Sequence, residues 1–156
     1  MAIPKDINLN NATPAAPSGF QNVQWQGDAS TPRNVSANIP RSTYPITWGV
    51  AIGVPAVTGT DVTPHYLVQF PGTLIACTIC AKTAPTGADL IVDLLQNGAS
   101  LLSGAKLHLP AGSLTGSTSS FAGIPLTIGA LLTLNVTQVG SPSPGQDVTV
   151  QAVVQI

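Results

Sequence analysis

From about Thr47 to Ile156, apolar and polar residues alternate in short runs separated by Gly, Pro, Asn and Ser. Two runs are the clearest. Leu132, Leu134 and Val136 alternate with Thr133, Asn135 and Thr137. Val148, Val150, Ala152, Val154 and Ile156 alternate with Thr149, Gln151 and Gln155, with Val153 interrupting the polar side. Successive side chains of a strand point to opposite faces, so each run has one apolar and one mainly polar face, as a sheet packed on one side requires. The Gly-Ser-Pro-Ser-Pro-Gly stretch from Gly140 to Gly145 is a loop between them.

Further strands are expected over Trp48–Val54, which stops at Pro55, and over His65–Phe70, between Pro64 and Pro71. Leu74–Lys82, Leu90–Leu94, Ala99–Leu102, Lys106–Leu109 and the Ser/Thr/Gly-rich stretch Ser113–Phe121 complete the set. Asn97-Gly98 is a hairpin turn signal, because both residues tolerate positive φ. Asp89 to Gln96 also fits a short helix stopped at Asn97-Gly98; strands on either side favour a strand. Seven to nine strands over about 110 residues, without βα alternation, predict an all-β fold. The expected form is an antiparallel β-sandwich of jelly-roll or immunoglobulin-like type.

Residues 1–45 follow neither period. Pro4, Pro14, Pro17, Pro32, Pro40 and Pro45 punctuate a stretch rich in Asn, Gln, Ser and Thr. Proline fixes φ and biases the preceding residue toward extended backbone. Apolar anchors recur nonetheless, and three of the seven aromatic residues, Phe20, Trp25 and Tyr44, fall here. The division expected is an extended N-terminal arm over 1–45 and a sandwich domain over 46–156. Aromatic and aliphatic anchors on an arm call for pockets on another protein, which makes Phe20, Val23, Trp25, Val35, Ile39 and Tyr44 the candidate partner-binding residues. Trp48 opens a strand and is assigned to the core.

Charge sharpens this picture. Only 7% of residues are charged, against about 25% in an average soluble domain. Glu is absent and the net charge is −1. The bases Lys5, Arg33, Arg41, Lys82 and Lys106 are scattered, so no basic footprint for nucleic acid is present. No apolar run approaches the roughly 20 residues that span a bilayer, and Met1–Asn11 does not resemble a secretory signal. A surface this poor in charge is expected to be covered by partner subunits.

Candidate chemistry is sparse. Cys77 and Cys80 form a lone CxxC; positions three apart on a strand face opposite ways, which argues for two small buried apolar residues over a disulfide or half a zinc site. His65 and His108 are isolated, without HxH or HExxH spacing. Asp89 and Asp93 would stand some 13 Å apart on one strand face, wider than a glycosidase pair, and read as solvent-facing charges. No GxSxG elbow, P-loop or calcium loop occurs. The expectation is a protein that is not an enzyme and has no cofactor or metal.

Three segments carry a resemblance. NATPAAPSGFQNVQWQGD (Asn11–Asp28) followed by PRNVSANIP (Pro32–Pro40) resembles the N-terminal segments of tailed-bacteriophage structural proteins. AKTAPTGADLIVDLLQNGASLL (Ala81–Leu102) resembles a β-domain of phage virion proteins. The resemblance implies a virion location and a homotrimer on the phage head. A compact knob with an arm suits a capsid decoration or cement protein contacting the major capsid protein or another virion protein. The alternative is a tail or head-fibre adaptor that recognises a host surface glycan through an exposed aromatic or acidic site near Pro55–Pro64 or Ser141–Pro144.

Overall fold

A computed structural model describes residues 42–156. The chain divides into two units, Met1–Pro40 and Arg41–Ile156. Phe20, Val23, Trp25, Val35 and Ile39 lie outside the described residues.

Ten strands follow one another: β1 (Thr43–Pro55), β2 (Tyr66–Leu67), β3 (Gly72–Thr83), β4 (Leu90–Gln96), β5 (Ala99–Ser100), β6 (Leu107–Leu109), β7 (Thr115–Thr118), β8 (Ile124–Leu126), β9 (Leu131–Gln138) and β10 (Gln146–Gln155). One antiparallel sheet has the order β1-β10-β3-β7, with β8 also on β3. The second has the order β2-β9-β4-β5, with β6 also on β4. The two form a β-sandwich. From β1 to β4, and again from β9 to β10, each strand lies in the sheet opposite its predecessor. That strand order is the jelly roll, so of the two expected topologies the immunoglobulin-like one is set aside.

The core consists of the inward faces of these strands. Leu74, Leu90, Leu109, Leu132, Leu134, Val148, Ala152 and Val154 are completely buried. Residues 89–96 form strand, not helix, because β4 is clamped between β9 and β6. In isolation its eight-residue window satisfies either period; pairing on both sides decides.

Two irregularities shape the first sheet. Val153 registers on Ala76 and Val154 on Leu74, which leaves Ile75 as an extra residue in β3. The bulge shifts the parity of the strand, so Leu74 and Cys77 both face the core although three positions apart. In β1, the register breaks between Val50 and Pro55, where Ala51 and Gly53 have positive φ. The Gly53 N–H donates to Asp147 Oδ1, and Ile52 and Val54 are turned out to solvent.

The observed boundaries differ from the expected ones where strands are short or lie at an edge. β1 already begins at Thr43, so Tyr44 and Pro45, assigned to the arm, register on Val154 and Val153. Tyr44 is partly buried against the core. β2 occupies only two of the residues expected from His65 to Phe70. The Ser/Thr/Gly stretch contributes β7 alone, and β8 carries no period long enough to show in sequence.

The cysteines face opposite ways, but only one is buried. Cys77 is in the core and Cys80 is exposed, which corrects the expectation of two buried residues. Burial pushes the Cys77 thiol up to about 12. In the native protein at pH 8, a thiol reagent is expected to modify Cys80 rapidly and Cys77 only after denaturant is added. Mass spectrometry of the labelled peptides checks this. Equal labelling of both would show that β3 does not bury Cys77.

Candidate functional site

Polar groups pair locally in the domain and do not converge. His65 Nε2 lies 2.9 Å from Asp61 Oδ2, in the loop before β2. His108 Nδ1 on β6 lies 3.2 Å from Asp89 Oδ2. β2 and β6 flank opposite sides of the β9–β4 pair, so the two His–Asp couples cannot act on one substrate. Neither has a hydroxyl or thiol nucleophile bonded to it among the described residues. Among these residues no three His, Cys, Asp or Glu side chains gather as metal ligands. No helix of the described residues is long and apolar enough to cross a membrane.

Asp89 is held by two donors. Ala111 N–H donates to its Oδ1 at 3.0 Å, and the His108 ring meets its Oδ2. The Ala111 bond, followed by the His108 bond, lowers the carboxyl below its usual range. A carboxyl with a depressed folded-state value stabilises the fold above its unfolded value, about 3.9. That contribution is lost as pH falls through the folded value. Asp89→Asn should therefore flatten the loss of stability below about pH 4. Urea midpoints measured from pH 6 to pH 2 check it. An unchanged acid limb would show that the two bonds do not form in solution. Solvent screening at this half-exposed site keeps the effect small.

Asp93 was expected to face solvent with Asp89; it is buried instead, 6% exposed. On the outer face of β4 it is enclosed by its neighbours. Ser100 Oγ donates to Asp93 Oδ1 at 2.8 Å, and Lys106 Nζ stands 3.8 Å from Oδ2. Ser103 N–H donates in turn to Ser100 Oγ. The carboxylate therefore ties the β5–β6 return to β4. Alternation alone could not show this, because a polar residue at an outward position reads as exposed until something crosses over it.

A shallow groove of about 510 Å3 runs along β3 on the outer face of the first sheet. Thr78 and Cys80 form its floor, with Thr149 and Gln151 of β10 on one side and Thr115 and Ser117 of β7 on the other. It presents hydroxyls and an amide, with neither a charge nor an aromatic ring. The loops around Pro55–Pro64 and Ser141–Pro144 were expected to hold an aromatic or acidic site for the glycan reading. The first contains Asp61 but no ring, and the second has neither.

The largest unabsorbed feature is apolar. Leu67, Phe70, Ile128, Leu131 and Ile156 are exposed at one end of the sandwich, and Ile52, Val54 and Val57 at the other. Sequence reasoning missed these as a group, since they lie in loops or at strand ends and come from four separate stretches of chain. No family model and no curated protein matches the chain.

Proposed function

We propose that this protein is a structural virion protein of a tailed bacteriophage. In this reading it is a capsid decoration or cement protein that stabilises the head as a homotrimer through contacts with its own copies and with the major capsid protein or another virion protein. The supporting observation is the surface of the domain. Nine large apolar side chains are exposed, against six formally charged residues in 42–156: Asp61, Lys82, Asp89, Asp93, Lys106 and Asp147. Such a surface suits permanent cover by other subunits better than life as a free monomer. The segment resemblance to phage structural proteins points the same way, and nothing in the described domain brings catalytic groups together.

In this proposal the first 41 residues supply the grip, through Phe20, Val23, Trp25, Val35 and Ile39. Deleting residues 1–41 leaves β1 intact. The deletion is expected to abolish binding to phage heads while leaving the thermal midpoint of the domain unchanged. Co-sedimentation with purified heads measures the first and calorimetry the second. Full binding by the truncated chain would remove the arm from the proposal.

The glycan-binding adaptor stands as a second reading, favoured by the hydroxyl-lined groove on β3. Antibody labelling of virions separates the two. Label on the head is expected for decoration and label at the tail tip for the adaptor; absence from particles overturns both.

A further inference from the structure

We propose that Asn97-Gly98 is a deamidation site that the folded hairpin holds silent and that opening of the β4–β5 end switches on. It is the only Asn-Gly pair in the sequence. Such a pair is reactive for a local reason. Glycine has no Cβ to shield its backbone nitrogen, and its conformational freedom lets that nitrogen reach the side chain before it. Asn97 is also exposed, at the tip of the turn between β4 and β5. Residue type and exposure alone therefore predict rapid modification. The backbone geometry of the turn opposes it.

The reaction needs only water. The Gly98 nitrogen attacks Asn97 Cγ. A bond forms between Gly98 N and Cγ, the Cγ–Nδ2 bond breaks, and ammonia leaves with the former Gly98 amide proton. The product is a succinimide ring, which water opens on either of two sides. Addition at Cγ breaks the new bond and leaves an aspartate. Addition at the Asn97 backbone carbonyl carbon breaks the original peptide bond and leaves an isoaspartate, with the chain running through Cβ and Cγ. Water is consumed, ammonia is released, and nothing is oxidised or reduced.

Two features of the fold block ring closure. Gln96 registers on Ala99, so Asn97 and Gly98 alone form the hairpin loop, with φ of 51° and 82°. Positive φ at both positions is the type I′ turn. Its first residue has ψ of about +30°, which sets the Gly98 nitrogen nearly anti to Cβ across the Asn97 Cα–C bond. Ring closure needs the two nearly eclipsed, so the peptide must swing through more than a right angle and the Gln96–Ala99 pairing must break. The side chain is tethered as well. Leu131 N–H donates to Asn97 Oδ1 at 2.9 Å, and Asn97 N–H donates to the Leu131 carbonyl at 2.8 Å. Leu131 opens β9, so the amide is anchored to the neighbouring strand of the sheet. The isoaspartate is a one-way product. It adds a chain atom to a loop without slack, and the paired bonds to Leu131 are not remade.

Ageing the full chain at neutral pH, with and without denaturing urea, tests this. Chromatography and mass spectrometry of the peptide that spans Asn97 separate asparagine, aspartate and isoaspartate. Conversion in buffer is expected to be at least about a hundredfold slower than in urea, because only the opened fraction of the population reacts. Chains carrying isoaspartate, returned from urea to buffer, should show a lower thermal midpoint than unaged protein. Asn97→Asp should stay close to wild type, since a carboxylate oxygen still accepts from Leu131 N–H and aspartate tolerates the left-handed backbone. Equal rates in buffer and urea overturn the protection, and no conversion in either removes the site. A wild-type midpoint for the isoaspartate chain, or an equal loss in Asn97→Asp, overturns the one-way step. Each outcome is independent of the virion reading, which binding to phage heads tests separately.

Discussion

Replacing Trp48 with Ala is expected to cost about 3–5 kcal/mol of folding stability, the range for deleting a buried large aromatic side chain. Trp48 is 5% exposed at the middle of β1 and sits between flanking core residues Ile46 and Val50. Its ring meets that of Tyr66 edge-on, with centroids 6.3 Å apart and planes at 76°. β1 is the edge of one sheet and β2 the edge of the other, so this pair closes the sandwich along that side. An edge strand bonds a neighbour on one side only, which makes β1 more dependent on its side-chain packing than β3 or β9. Small domains are stable by only about 5–15 kcal/mol, so the loss takes a large share of the total. Urea unfolding checks it through a lower midpoint at constant slope. Trp48→Phe keeps an aromatic partner for Tyr66 and should lose distinctly less. A cost for Trp48→Ala below about 1 kcal/mol, as at surface sites, would show that this edge is not packed as described.

Gly116→Ala is expected to be as damaging, although it adds one methyl group at a partly exposed position. A Cβ at Gly116 would lie 1.9 Å from the carbonyl oxygen of His108, with Ile79 Cγ2 at 3.1 Å behind it. The obstacle is backbone, so no rotamer change relieves it. β7 belongs to the first sheet and β6 to the second, and their contact closes the side of the sandwich opposite Trp48 and Tyr66. To admit the methyl, β7 must move off β6 or lose its register with Cys77–Cys80 on β3. Overpacking in well-packed sites costs about 1–3 kcal/mol and sometimes more; a backbone obstacle on one side and the buried Ile79 side chain on the other place this variant at or above the upper end. Gly104→Ala is the control, since nothing lies within 4 Å of its would-be Cβ. Equal stability of the two variants would mean that the β6–β7 seam is open in solution. The thermal midpoint distinguishes these outcomes.

Taken together, the two variants treat the domain as a scaffold, and the functional weight falls on its surface. The groove on β3 is polar and neutral, the His–Asp couples are separate, and the apolar end is the feature that a partner would notice first. In the proposed function, the first 41 residues supply the grip. Composition proposes the arm's candidate anchors, and those from Phe20 to Ile39 lie outside the described residues. Tyr44 shows the limit of that reasoning. It sits one residue before Pro45, in the same kind of context, yet it belongs to β1 and packs on the core.

Alternation was enough to specify the all-β class and the long strands β9 and β10, because a period of two over five or more residues admits one packed face; β3 was legible as a long β-branched run, and β4 was favoured as strand only by its β neighbours. It also placed Trp48 in the core, put the turn at Asn97-Gly98, and set Cys77 and Cys80 on opposite faces. Strand order lay beyond it. Pairing joins residues far apart in the chain, such as Thr47 with Gln151, and local pattern contains no term for that. The short strands β2, β5 and β8 form because a neighbouring strand offers its free edge, which is a property of the assembled sheets. The same non-local packing buried Asp93 beneath Ser100 and Lys106, exposed Cys80, and gathered Leu67, Phe70, Ile128 and Leu131 into one patch. Each of these depends on which chain segments cross at a point in space, and only the folded sandwich brings them there.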